Sequence, residues 1–459
     1  MQFLVLPDNS VFLHSVFLEV CMFVRRPLPT ACLVLTLTAA SVFTAQGSAP
    51  KAAPAREAGN WPQWRGPLRD GVSTDTGLLT TWPAAGPPKL WTANGLGAGF
   101  SSVAVVGGRI YTMGDRRDGQ YVMALSEDAG KEIWATRVGG RHEDEYGGPR
   151  GTPTVDGELL YVVDTDGDVV CLDTATGKER WRRNMPRDFG GRMMSSWMFA
   201  ESPLVDGDRV VVTPGAERAA LVALDKRTGK DIWRAAVTRL GSQGADGAGY
   251  SSIVISNGAG VKQYIQLMGR GLVSIRASDG WFMWGNNHVA NNIANITTPV
   301  VQGDYVFASS AYDTGSVLVQ LSKDKTDRVT ATEKYFLDPG TLQNHHGGFV
   351  LIDGVLYGGH GPQNGFPVAV ELTTGKMLWS RVRGAGSGSA AVTAADGNLY
   401  FRYQDGTMAL IAANPKQYEL KSKFAIPNVR NPSWSHPVVT GGRLYLREQD
   451  ALHVYSIKR

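Results

Sequence analysis

Five stretches of this chain end alike, each on a glycine followed four residues later by a tryptophan. The pairs are Gly130 and Trp134, Gly177 and Trp181, Gly229 and Trp233, Gly280 and Trp284, and Gly375 and Trp379. The tryptophans stand 47, 52, 51 and 95 residues apart, the last interval spanning two units. Two units align from end to end. One runs from Thr152-Pro-Thr-Val-Asp-Gly through Thr176-Gly-Lys to Trp181, the other from Ser202-Pro-Leu-Val-Asp-Gly through Thr228-Gly-Lys to Trp233. A repeat of this length is one supersecondary unit that buries its apolar face only against its neighbours.

Within a unit the apolar residues alternate, or run on where both faces are covered, which is the pattern of strands. Asp-Gly pairs at Asp156, Asp206, Asp353 and Asp396 supply the positive φ of tight hairpins. The 55 glycines and 23 prolines among 459 residues exclude a helical bundle. Four short strands in about 45 residues make a propeller blade. The tryptophan falls on the outermost strand, where its ring covers the seam between blades. Weaker units begin at Thr298 and Ser389, and a last one at His436 stops after its third strand. The missing outer strand is present at the other end, in Pro88-Lys-Leu-Trp. The expected fold is therefore all-β: an eight-bladed propeller over 88–459 whose last blade is closed by Leu90 and Trp91.

Ahead of it, Arg25 and Arg26 precede an apolar run from Ala31 to Ala45 and a small-residue cleavage pattern. This reads as a signal peptide over 1–47, with Met22 as an alternative start, followed by a linker and leader over 48–87. Cys21 and Cys32 leave with the signal, so the mature chain keeps Cys171 alone, expected as a buried core residue. The expected location is periplasmic or secreted, and the expected mature chain is a monomer without a transmembrane span. A net charge of +4 argues against a nucleic-acid partner.

The Ala-Leu-Asp-x-x-Thr-Gly-Lys-x-x-Trp run resembles the repeat of pyrroloquinoline quinone (PQQ) propellers. That superfamily holds quinoprotein alcohol dehydrogenases and the non-enzymatic BamB-type outer-membrane assembly lipoproteins. Asn60-Trp-Pro-Gln-Trp-Arg-Gly-Pro is similar to the leader of exported bacterial PQQ-like repeat proteins.

Function in a propeller collects where the innermost strands begin, because those lead-in segments ring a central funnel. Here they carry Phe100, Arg150, Glu201, Tyr250, Asn295, His345, His346, Trp434 and His436, with Trp197 as an aromatic lid. Three functions are open. The favoured one is a scaffold that binds an envelope protein or a small ligand at the funnel. The second is a PQQ- and calcium-dependent dehydrogenase of an alcohol or sugar. For it the resemblance implies Glu201 and Asn295 as calcium ligands, Asp338 as the aspartate that completes the set and catalytic candidate, and Arg150 against a quinone carboxylate. Tyr250, Trp197 and Trp434 would complete the cofactor pocket. Glu201 can equally be a structural carboxylate paired with Arg150. The third is a metal-dependent enzyme using His345, His346 and His360, against which stands their reading as hydrogen-bonded loop histidines.

Overall fold

The alternating segments form eight antiparallel sheets of four strands each. These are the blades, spanning 104–139, 154–184, 204–235, 254–286, 300–337, 349–379 and 390–425, with the eighth built from both ends of the chain. The computed structural model describes residues 59–459 apart from 239, 381 and 431, so the expected signal segment lies outside the described residues. Among the described residues no helix is long and apolar enough to cross a membrane.

Closure follows the expectation. Lys89–Ala93 is the outer strand of blade 8 and pairs antiparallel with Ala451–Ser456, Thr92 facing His453 and Ala93 facing Leu452. The last strand is thus held by the first.

The glycine and the tryptophan of the repeat meet across the seams from blade 1 to blade 4. The Trp134 indole N–H donates to the carbonyl of Thr174 in the next blade, Trp181 to Lys226, and Trp233 to Ala277. The next blade's Gly177, Gly229 and Gly280 lie flat against those same rings. Blade 5 lacks the tryptophan and uses Tyr335, whose hydroxyl donates to Leu372 and whose ring receives Gly375. Gly177 has φ +71°, and an added Cβ would stand 2.5 Å from the Trp134 ring. Gly177→Ala therefore meets both a left-handed backbone, about 1–2 kcal/mol, and a clash that parts the seam. We expect its urea midpoint to fall clearly, whereas Gly157→Ala, with φ +61° and open space around it, loses only the backbone share.

Every outer strand also carries a bulge, in seven of the eight blades just before its aromatic residue. In blade 2 Cys171 faces Trp181 and Leu172 faces Glu179, so Arg180 is passed over. The same slip skips Ile133, Ile232 and Leu90, three of the exposed large apolar residues. A bulge sharpens the local twist and turns that side chain out of the sheet.

Residues 61–75 run across the propeller axis. Trp61 pairs with Val105 of blade 1, and the Pro62 carbonyl accepts from Val155 of blade 2. Arg69 donates to the carbonyls of Ser202 and Pro203, Trp64 to Thr298 Oγ1 and Arg65 to the Phe349 carbonyl. Ser73 N–H donates to Ala394 of blade 7. The leader thereby touches the inner strands or lead-ins of six blades and closes the channel on one side.

Candidate functional site

Behind this plug the funnel is a blind cavity of about 360 Å³. Its wall is assembled from corresponding positions in successive blades, because each inner strand starts at the axis. Ser102, Thr152, Ser202 and Ser252 show the arrangement: the backbone N–H of each of the first three donates to the hydroxyl of the next, one blade on. Just ahead of this ring of hydroxyls the lead-ins stop repeating and turn aromatic.

Trp434 is the centre of the wall. Its ring lies 5.0 Å from Phe100, 5.0 Å from Tyr146 and 4.7 Å from His346. Across the cavity Trp197 packs edge-on to Tyr250, whose hydroxyl is 2.6 Å from Ser195 Oγ. Arg150 sits over Phe100 and donates to the carbonyls of Trp197 and Tyr146. The leader contributes Trp64, edge-on to His436 at 4.5 Å, and Arg65.

Burial keeps the histidines neutral. It pushes His345 down to about 4, His346 well below its ordinary value, and His436 down to about 3 with Arg65 adding repulsion. Both His345 nitrogens are engaged, Nε2 with the Tyr312 hydroxyl at 2.9 Å and Nδ1 with Ser389 Oγ at 2.7 Å. Arg65 is fully enclosed; burial draws it down to about 10, so it stays charged at neutral pH.

The profile of the family described as outer membrane protein assembly factor BamB matches residues 75–167 and 118–381, well over half of the sequence. The chain belongs to this BamB family. Its relatives differ in what their names say they do. Tetrathionate hydrolase of Acidithiobacillus ferrooxidans is 24% identical over 432 residues, 84% of this chain and 79% of that protein. The serine/threonine-protein kinase AfsK of Streptomyces griseus is 29% identical over 169 residues, and the match spans only a fifth of its length. The crystal structure of quinohemoprotein alcohol dehydrogenase from Comamonas testosteroni superposes with a TM-score of 0.60 at 13% identity, over 88% of this chain and 81% of that one. The likeness to that enzyme is one of fold.

Within this BamB-family chain, eight of the expected site residues line the cavity: Phe100, Arg150, Trp197, Tyr250, His345, His346, Trp434 and His436. Glu201, Asn295, Asp338 and His360 do not. Glu201 is buried, and its oxygens accept from the Thr213 N–H and hydroxyl and from Gln266. Burial pushes it up to about 7 against the pull of Arg69. It is not paired with Arg150, which bonds only to carbonyls, so that expectation is corrected. Asn295 Oδ1 already accepts from Asn291 N–H and Ser310 Oγ. Asp338 is exposed and caps the turn through Gly340 and Thr341. Calcium takes about 6–8 oxygens around one point. These three residues, with their acceptors spent or facing outward, do not fit that ion as arranged. His360 lies at the end of its strand and accepts from Gln343 N–H. Among the described residues no group of three His, Cys, Asp or Glu is placed to hold a metal.

Sequence reading missed Trp64 and Arg65 as site residues. Their signal was density: two tryptophans and two arginines within residues 61–69 of a supposed leader. Tyr146 and Tyr312 carried no comparable mark.

Proposed function

We propose that this chain is an exported propeller that binds a small molecule in its funnel. The observation that carries the reading is the cavity itself: blind on the leader side, walled by aromatic rings, with few and fixed polar groups. That is the make-up of small-molecule sites, which run to about 300–1,000 Å³. A purely structural hub has no use for a buried, non-repeating aromatic pocket amid repeats that otherwise pack tightly. The predicted signal segment and the BamB-family membership support a cell-envelope location.

Ligand-observed NMR with a set of one- and two-ring aromatic fragments tests this reading. We expect fragments to bind, and Trp434→Ala to weaken them by about tenfold or more through lost ring contact. Binding that survives Trp434→Ala unchanged, or no binding at all, contradicts it and leaves an envelope protein as the partner at the rim. The dehydrogenase reading is checked alongside by titrating PQQ with and without Ca²⁺. With Glu201 and Asn295 turned away from the funnel, we expect calcium to make no difference.

A further inference from the structure

At the inner end of the funnel three buried polar atoms have no hydrogen-bond partner among the described residues: Arg65 Nη1, His346 Nε2 and His436 Nδ1. Arg65 and His436 meet beside Gly348, two residues on from His346. A Cβ added at Gly348 would stand 2.8 Å from Arg65 Nη1 and 3.9 Å from His436 Cε1, so that position is kept bare beside them. His436 Nε2 faces the His346 carbonyl at 3.3 Å, leaving Nδ1 as an acceptor for a ligand hydroxyl or N–H, or for a water.

Arg65 is supported by the charge of Asp70 on its own leader segment, but nothing acidic faces it from the cavity wall. Arg65 donates through Nη2 to the carbonyls of Asp70 and Phe349 and makes no ion pair among the described residues. Arg150, the cavity's other cation, likewise meets only carbonyls. No aspartate or glutamate lines the cavity. A buried donor without an acceptor is costly. Arg402 meets a carboxylate of the neighbouring blade directly, whereas the Arg65 Nη1 amino group is left without an acceptor.

We infer that the inner end of the funnel binds the carboxylate of a small aromatic acid. Arg65 Nη1 and His346 Nε2 donate to the carboxylate oxygens, and the ring of the acid lies against Trp434. This rests on the reading of the funnel as a small-molecule site and adds the chemical class of the ligand. The Arg65 Nη1 amino group and the His346 Nε2 N–H match a planar monoanion. A phosphate dianion calls for more donors than this end supplies.

The test is calorimetry on the mature chain with two matched pairs, benzoate against benzamide and indole-3-acetate against indole-3-acetamide. The inference expects each acid to bind about tenfold or more tightly than its amide, and Arg65→Gln to abolish that preference. Acid and amide binding alike overturns it: the funnel then takes small molecules, but Arg65 faces only water. A preference that persists in Arg65→Gln and disappears in Arg150→Gln also overturns it, placing the anion at the outer cation. Failure of both pairs to bind removes the funnel reading as well. Should Arg65→Gln not fold, His346→Leu, which leaves the Arg65 carbonyl bonds in place, must cut the preference several-fold.

Discussion

Glu448→Ala is expected to destabilise the propeller by about 3–5 kcal/mol, the range for breaking a buried ion pair on one side. Glu448 and Arg402 are almost wholly buried and meet at 2.6 Å across the seam between blades 7 and 8. Arg402 also donates to Ser433 Oγ and to the Ser435 carbonyl, and Ser433 donates to Glu448. Removing the carboxylate leaves the guanidinium buried and uncompensated beside the blade that closes the ring. The urea midpoint measures the loss. The double variant Arg402→Met/Glu448→Leu should regain most of it, because an apolar pair of similar volume avoids the desolvation cost. An unchanged midpoint in Glu448→Ala would mean that this seam does not hold the closure.

The second large effect lies at the plug. Trp61 is 2% exposed, packs against Gly66 and fixes the start of the leader through its bridge to Val105. Trp61→Ala should cost about 3–5 kcal/mol, as for a large aromatic removed from a core. It should also weaken aromatic acids in the funnel, because Arg65 and Trp64 reach the cavity only while the leader is seated. Stability lost with acid binding intact would separate the plug from the site and contradict this account.

The fold was legible because its rules are local. A glycine four residues before a tryptophan already implies a turn that needs positive φ and a ring lying on the next blade's turn, and both are observed. Closure by Trp91 was legible for the same reason: an outer strand without its blade and a blade without its outer strand complete each other. The bulges before each tryptophan were not, since nothing in Glu179-Arg180-Trp181 marks Arg180 as the unpaired residue until strands are paired. Lead-in residues could be found as interruptions of a repeat, which brought Arg150, Tyr250, His345 and Trp434 to the cavity. The direction of a side chain at such a position could not. Glu201 turns away from the funnel because Thr213, just past a strand of its own blade, and Gln266, on a strand of the next blade, supply its donors. Arg65 was hidden by distance, since its partner Phe349 stands 284 residues away.

The measurement that bears most directly on the central claim is a crystal of the mature chain soaked in 4-bromobenzoate, with the bromine located by anomalous scattering. The account predicts a bromine peak inside the funnel near Trp434, with the carboxylate on Arg65 and His346. A saturating soak that leaves the funnel without bromine, or seats the acid with its carboxylate turned away from Arg65, would contradict it.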